Sequence, residues 1–124
     1  MSFLTLRAYF KLIRMDLVLA RGNFAALYRK VRDCPLGRNV PAEDIVAQIC
    51  SAINAACIWY PKEVQCLQRS AATACLLKEH GVSAQMVIGA QSMPIKAHAW
   101  IEVGGIVVND RPYTAEMYAV LDRC

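Results

Sequence analysis

The sequence is poor in histidine and lacks closely spaced cysteine pairs. It contains two histidines, and none of its six cysteines forms a Cys-x-x-Cys pair with another. Structural zinc sites usually draw on such pairs together with histidine. We therefore expect no metal site, and nothing in the sequence indicates a cofactor.

Long uncharged hydrophobic runs are also absent. The longest stretch without a charged residue, residues 45–61, includes Gln48, Ser51 and Asn54, whereas a membrane-spanning helix needs about 20 consecutive, mostly apolar residues. Basic residues recur through the first 21 positions, where a secretory signal peptide would need an uninterrupted apolar segment. We therefore expect a cytoplasmic protein with no transmembrane segment and with reduced cysteines.

Charge is scarce and unevenly placed. Only 19% of the 124 residues are charged, whereas 56% are hydrophobic, which suits a single folded domain of this length. Residues 1–40 carry eight Lys or Arg and two Asp, while residues 41–124 carry six basic and eight acidic side chains. The basic part has no signature of a nucleic-acid-binding module, so no nucleic-acid partner is expected.

Residues 1–33 are predicted to form a basic helical segment. A stripe of apolar residues follows the 3.6-residue period of a helix, and a row of basic residues lies on another face. The stripe contains Leu6, Phe10, Ile13, Leu17 and Leu27, and the row contains Arg7, Lys11, Arg14 and Arg21. Gly22-Asn23 is expected to divide the segment into two helices. Two interpretations stay open: a stripe packed on the domain with the basic face in solvent, or a docking surface for an acidic partner or a membrane headgroup.

The remainder of the chain is predicted to be a linker, residues 34–41, and a core, residues 42–124. In the core, one helix should run from about Pro41 to just before Pro61, and another over residues 66–80, ended by Gly81. The apolar period then changes from 3.6 to 2, which indicates strands. These strands are expected at residues 85–89, 97–103 and 106–110. Helices followed by a small antiparallel sheet indicate an α+β fold.

Three polar residues stand where a cysteine nucleophile and its partners are expected. Cys66 begins a predicted helix, His98 lies in an apolar strand, and Asp110 ends the next strand. The first turn of a helix lowers the pKa of a thiol. A histidine beside the thiol would accept its proton, and an aspartate would orient the imidazole. Singly, each residue also has an ordinary structural explanation.

The turn at Gly104-Gly105 bears on whether His98 and Asp110 meet. A two-residue loop would pair Val103 with Ile106 and point Asp110 away from His98, which would exclude a triad. A three-residue loop with a bulge would shift the pairing by one residue and set His98 across from Asp110. We predict the three-residue loop.

Five short runs occur in a fixed order between residues 42 and 112. They are Cys66-Leu67-Gln68-Arg69-Ser70, residues 76–82, Val87-Ile88-Gly89, residues 97–103 and Asn109-Asp110. Their order resembles the transglutaminase-like leader peptidases of lasso-peptide biosynthesis, in the stand-alone protease form. Ile95 and Ala71 depart from the residues usual in that family, and both bear on substrate fit.

The resemblance implies a transglutaminase-like or papain-like core and a cysteine protease that removes the leader from a ribosomally made precursor peptide through a thioester. Cys66 would be the nucleophile, His98 the base and Asp110 the orienting acid. The implied partners are the precursor, a separate leader-recognition protein and the ATP-dependent lasso cyclase. A transglutaminase-like acyltransferase would use the same residues, and a non-catalytic peptide-binding scaffold is a third possibility.

Residues near the motifs have other expected roles. The backbone N–H of Cys66 would donate to an oxyanion, whereas Gln65 and Trp59 compete as sources of a second donor. Gln65 is equally a helix-entry residue, and Trp59 is expected in the core. Cys75 is the rival nucleophile, but burial within a helix would raise its pKa. His80 is expected to have a structural role at a helix end.

Overall fold

A computed structural model describes residues 2–38 and 40–124 and has an α+β architecture. Asn39, in the predicted linker, lies outside the described residues. The elements are α1 (Phe3–Arg21), α2 (Phe24–Arg32), α3 (Ile45–Trp59), α4 (Cys66–Glu79), β1 (Ala84–Ser92), β2 (Ile95–Val103), β3 (Ile106–Val108), α5 (Thr114–Met117) and β4 (Ala119–Arg123). The four strands pair antiparallel in the order β3-β2-β1-β4. The predicted fold class is confirmed.

Gly22 and Asn23 separate α1 from α2, as predicted. The Gly22 N–H donates to the Val18 carbonyl at 2.9 Å and closes α1. Asn23 then caps α2, because its Oδ1 accepts the Ala26 N–H at 3.0 Å. One residue thus ends the first helix and the next begins the second, through backbone and side-chain groups that would otherwise lack partners.

The buried face of α1 differs from the expected one. The helix packs against α3 and α4 and buries Thr5, Ala8, Leu12 and Met15. Three residues of the predicted stripe, Leu6, Phe10 and Leu17, are exposed instead. The interpretation that this stripe packs on the domain is therefore wrong for α1, although Leu27 of α2 is buried as the stripe required. The sequence pattern does not identify the buried face because α1 carries apolar residues on two opposite sides.

Helix α4 lies at the centre of the molecule. Residues 70–77 are all buried, because α1, α2, α3, β1 and β2 contact this helix. Gln68, which a two-sided helix pattern places outward, is also buried, and its Nε2 donates to the Leu12 carbonyl at 2.8 Å. The helix ends as predicted, with Gly81 at a φ of 84°.

The predicted linker is irregular chain that contacts the end of α4. The Gly37 N–H donates to the Lys78 carbonyl at 2.7 Å. A Cβ atom at Gly37 would lie 2.3 Å from the Glu79 carbonyl oxygen, so this close approach requires glycine. The following helix begins at Ile45, later than the predicted start near Pro41, and ends before Pro61 as expected.

The turn between β2 and β3 has two residues. Gly104 and Gly105 have φ values of 59° and 80°, and Val103 pairs with Ile106. The prediction of a three-residue loop is therefore wrong. Two successive glycines adopt positive φ at no steric cost, which permits the tight turn whose twist suits antiparallel strands.

The elements after β3 have no counterpart among the predictions. β4 pairs with the free edge of β1, with a register shift between Ile88 and Gly89. All five residues of β4 are exposed, so the strand has no alternating apolar pattern that would reveal it. Tyr118, between α5 and β4, is buried against Trp100. Among the residues that the structure describes, no helix has the length and apolar character to cross a membrane.

Candidate active site

His98 and Asp110 form a short hydrogen bond between their side chains. His98 Nε2 lies 2.6 Å from Asp110 Oδ2, even though the two-residue turn was expected to keep them apart. That expectation assumed that the strand continues to Asp110. Instead β3 ends at Val108, and Asn109 adopts a φ of 60°, which turns the chain out of the ladder. The exclusion inferred from the register is therefore wrong.

The Asp110 carboxylate is stabilised in its ionised form. Partial burial opposes ionisation, but hydrogen bonds from His98 and from the Arg111 N–H, the latter at 2.7 Å, hold the pKa of Asp110 below its usual value of 3.8. A carboxylate beside Nε2 favours the imidazole tautomer that carries its proton on Nε2. In that tautomer, His98 Nδ1 has a free lone pair and can accept a proton.

Cys66 shares a cleft with His98 and Asp110. The cleft has about 280 Å³ of empty space, partly open to solvent, with walls from α4, β2 and the chain after β3. Cys66 is the half-buried first residue of α4, and Gln65 occupies the N-cap without a side-chain cap. Among residues 2–38 and 40–124, the thiol of Cys66 makes no hydrogen bond, whereas His98 bonds Asp110. Thiol and imidazole thus line the same space, with the helix N-terminus at the thiol.

Two aromatic rings flank the imidazole. The centroid of the His98 ring lies 5.3 Å from that of Tyr118 and 6.0 Å from that of Trp100. The indole is held in turn, because Trp100 Nε1 donates to Glu102 Oε2 at 2.9 Å. Gly89, the partner of His98 in the β1–β2 ladder, leaves room for the indole. The aromatic cluster limits the orientations available to the imidazole.

Arg69 and Asn54 hold the residue that precedes Asp110. Arg69 Nη2 donates to Asn54 Oδ1 at 2.8 Å and to the Asn109 carbonyl at 3.2 Å. Asn54 Nδ2 also donates to Asn109 Oδ1 at 3.0 Å. Side chains of α3 and α4 therefore hydrogen-bond to both the side chain and the backbone of Asn109. We name Arg69, Asn54 and Asn109 the Asn109 clamp.

Sequence reasoning missed the Asn109 clamp. In the sequence, Arg69 and Asn109 stand out only as parts of the motif runs, and Asn54 only as a polar residue in an uncharged stretch. One local signal was present, because asparagine is the residue, after glycine, that most readily adopts positive φ. An asparagine directly before Asp110 therefore favoured an end to the strand at that point.

The other cysteines lie outside the cleft, and none of the six forms a disulfide. The Cys34 thiol donates to the Cys75 carbonyl at 4.0 Å, and interaction with the neighbouring Cys75 side chain lowers the pKa of Cys34 to about 6. The same interaction, together with burial, raises the pKa of Cys75, as expected for a buried thiol within a helix. Burial also raises the pKa of Cys50, Cys57 and Cys124. Cys75 is therefore poorly suited to act as the nucleophile.

Two further predictions concern residues at helix ends. His80 Nδ1 lies 2.9 Å from the Leu76 carbonyl, a contact that fits the structural role predicted for it. Trp59 is 67% exposed, so the prediction that it lies in the core is wrong. Tyr60 packs against the core in its place, because α3 ends at Trp59 and the chain turns there. Among the described residues, no group of three His, Cys, Asp or Glu side chains is placed to hold a metal ion.

Comparison with known proteins assigns the family. The sequence profile described as the transglutaminase-like superfamily matches residues 10–123. The chain belongs to the transglutaminase-like superfamily.

A curated relative supports the assignment. This transglutaminase-like protein is 38% identical over 56 residues to the microcin J25-processing protein McjB of Escherichia coli. The match covers 45% of this chain and 27% of McjB, so the chain spans about a quarter of that relative. The resemblance inferred from the order of the motif runs is confirmed by these two comparisons. No solved structure matches this transglutaminase-like chain.

Proposed function

We propose that this protein is a cysteine protease that removes the leader peptide from a ribosomally synthesised lasso-peptide precursor. The hydrogen bond of 2.6 Å between His98 and Asp110, in the cleft that Cys66 lines, carries the proposal. Membership of the transglutaminase-like superfamily supports it. The similarity to a processing protein of microcin J25 supports the class of substrate.

In the proposed mechanism, Cys66 transfers its proton to His98 Nδ1, and the thiolate attacks the scissile carbonyl carbon. The imidazolium then protonates the leaving amine as the C–N bond breaks, which leaves the leader as a thioester on Cys66. A water molecule gives a proton to His98 Nδ1 and attacks the thioester, and the proton returns to the thiolate as the leader carboxylate departs. Asp110 orients the ring and stabilises its charge in both halves of the reaction.

The start of α4 contributes to stabilising the tetrahedral intermediates. The Cys66 N–H belongs to the first turn of the helix, where backbone N–H groups lack intrahelical acceptors. In this mechanism it donates to the developing oxyanion, an interaction that is worth about 3 kcal/mol in comparable sites. Negative charge at this point is also favoured by the helix dipole.

The proposal includes partners and a location. The precursor peptide is the substrate, a separate leader-recognition protein presents it, and the ATP-dependent lasso cyclase uses the amino group that cleavage frees. All of these reactions would take place in the cytoplasm. Within the protease, the helices and the sheet would act as a single domain, because one cluster of buried side chains includes residues of α1 to α4, β1 and β2.

The test is mass spectrometry of a candidate precursor incubated with the full chain, with and without a small recognition protein. Cleavage at one bond should yield two fragments that together weigh as much as the precursor plus one water. Cys66→Ala should abolish cleavage, and Asp110→Asn should slow it on the order of 10²- to 10⁴-fold. Cys57→Ala, at a half-buried cysteine outside the cleft, serves as the matched control.

The same experiment separates the alternatives. Addition of a primary amine such as methylamine should leave the hydrolysis products dominant. If the amine adduct of the leader dominates instead, the protein is an acyltransferase. Full cleavage by Cys66→Ala would contradict the proposed nucleophile, and stable binding of the precursor without any cleavage would indicate a binding scaffold.

A further inference from the structure

Helix α1 presents a second apolar face to solvent. Five residues alternate in spacing between three and four positions, and we name them the α1 stripe. They are Phe3, Leu6, Phe10, Ile13 and Leu17. Phe3 is 77% exposed, Phe10 60%, Leu17 48% and Leu6 43%. This spacing is that of the a and d positions of a heptad repeat, along which a partner helix packs.

The core of the molecule does not account for the α1 stripe. The opposite side of α1 already packs on α3 and α4 through Ala8, Leu12 and Met15. A surface helix normally has one apolar face and one polar face, and a helix that is apolar on two sides is typically covered on both. A contiguous row of exposed phenylalanine and leucine is therefore typical of a surface that binds a partner.

Arginines follow one border of the α1 stripe. Arg7, Arg14 and Arg21 recur every seven residues, each four positions after Phe3, Phe10 or Leu17 in turn. In heptad terms they occupy the e position, which flanks the apolar seam and pairs with charged residues of a partner helix. Arg14 and Arg21 are exposed.

One carboxylate lies on this border. Arg7 Nη2 binds Glu79 Oε2 at 2.8 Å, and Lys11 also binds Glu79. A shallow depression beside Phe10 is lined by Arg7, Lys11, Arg14 and Glu79. Three cations around one carboxylate leave the depression with a net positive charge, which favours acidic groups on whatever covers the stripe.

We propose that the α1 stripe docks an acidic amphipathic helix of a separate protein. Apolar residues of that helix would pack along the stripe, and its glutamates or aspartates would pair with Arg7, Arg14 and Arg21. A second copy of this chain fits less well, because antiparallel packing of two α1 helices brings their arginine borders together. Docking of such a helix depends on the α1 stripe and the charged groups beside it and is independent of the chemistry proposed for Cys66.

The test uses a synthetic peptide of several heptads with isoleucine at a, leucine at d and glutamate at e and g. Glutamate on both borders opposes self-association of the peptide. Its fluorescence anisotropy is followed as the full-length protein is added. We expect saturable binding, and binding at least about tenfold weaker for a twin peptide with lysine in place of every glutamate. Equal binding of both peptides, or of neither, would overturn the proposal.

Variants of the protein locate the binding surface. Phe10→Ser and the double variant Arg14→Glu with Arg21→Glu should each weaken binding of the acidic peptide at least about tenfold. Ile106→Ser, at another exposed apolar residue, and Arg38→Glu, at another exposed arginine, are the matched controls and should bind as the parent does. Far-ultraviolet circular dichroism and thermal melts verify that each variant folds.

Other occupants of the α1 stripe would give different results. Unchanged affinity of the Phe10→Ser variant would show that the peptide binds elsewhere. If sedimentation shows a dimer that Phe10→Ser dissociates, the stripe belongs to contact between two copies. If only vesicles of phosphatidylglycerol bind, and Phe10→Ser abolishes that binding, the stripe is a membrane surface. Each of these outcomes rejects the proposed helix.

Discussion

Asp110 contacts His98 from outside the strand ladder. The pairing of Val103 with Ile106 would direct a continued strand away from the imidazole, yet the carboxylate lies 2.6 Å from His98 Nε2. The contact exists because Asn109 leaves the ladder at a φ of 60°. The position of the carboxylate therefore depends on one backbone conformation and on the side chains that hold it.

We predict that Arg69→Met slows precursor cleavage through Asp110. Loss of the guanidinium removes the hydrogen bonds to Asn54 and to the Asn109 carbonyl, so the carboxylate loses its fixed distance from His98. A misplacement of about 1 Å costs about 10²-fold in rate. The measurement is steady-state kinetics with the precursor, in which kcat should fall while KM changes little. Asn54→Ala should act in the same direction.

The split between kcat and KM distinguishes this role of Arg69 from a general loss of stability. Urea unfolding should show that Arg69→Met is folded under the assay conditions, so that a fall in kcat reports the displaced carboxylate. Arg32→Met, which removes an exposed arginine paired with Asp33, is the control. A normal kcat in Arg69→Met would refute a positioning role.

We predict that Asp110 stabilises the folded protein above acid pH. Its pKa is lowered in the folded state, so its contribution is fully present above the unfolded value, near pH 4, and is lost as the pH falls through the lower folded value. The difference in free energy of unfolding between the parent and Asp110→Asn should therefore shrink over that interval. Urea titrations between about pH 6 and about pH 3 measure it. A difference that is constant with pH would contradict the assignment.

We predict that two thiols react rapidly with iodoacetamide near neutral pH. Cys34 should react because its pKa is about 6, and Cys66 because His98 accepts its proton in the proposed mechanism. Cys75 and Cys57 should react slowly, since their pKa values are raised. Peptide mapping after a short exposure gives the rate at each position.

Replacement of His98 tests whether its imidazole activates the Cys66 thiol. His98→Ala should slow alkylation of Cys66 about tenfold and leave Cys34 unchanged, so Cys34 is a control within the same chain. In Cys34→Ser, a single fast-reacting thiol should remain. Labelling of Cys66 at the rate of Cys57 in the parent protein would mean that the Cys66 thiol is not activated.

We predict that Gly89→Ala disturbs the rings that flank His98. A Cβ atom there would lie 2.6 Å from the indole of Trp100 and 2.8 Å from Tyr118 Cβ, so the rings must move. Overpacking of this kind costs about 1–3 kcal/mol. Urea unfolding gives that loss, and near-ultraviolet circular dichroism reports the displaced indole.

A double variant tests whether the clash with the Trp100 indole causes the loss of stability in Gly89→Ala. Trp100→Phe removes the ring atoms that the new methyl group would meet, so its addition to Gly89→Ala should cost less than the sum of the two single changes. Simple additivity would show that the strain in Gly89→Ala arises elsewhere.

Local signals determined much of the fold. The ends of three helices are predictable from single positions, namely Gly22-Asn23, Pro61 and Gly81. Each marks a helix end through a cap or a missing backbone donor, whatever the rest of the chain contains. The buried face of α1 could not be predicted in this way, because two of its faces are apolar. The burial of Gln68 is hidden in the sequence for a related reason: α4 is covered on every side, so a pattern of one apolar and one polar face does not describe it.

The candidate site, too, is predictable only in part. Cys66 and His98 are candidates by residue type and by their positions in predicted elements. The backbone turn that brings Asp110 to His98 is not predictable in this way, because the Asn109 clamp joins residues that are 15, 40 and 55 positions apart in the chain. Contacts of that range leave no periodic trace in a single sequence.

The burial of α4 determines which parts of the cleft are able to move. Residues 70–77 have no exposed surface of consequence, so any displacement of this helix would disrupt the packing of all its neighbours. If the cleft admits the proposed peptide substrate, we expect it to widen on the sheet side, where the ends of the strands and the chain after β3 are more exposed. Cys66, the proposed nucleophile, would then stay fixed with α4, and His98 and Asp110 would move relative to it.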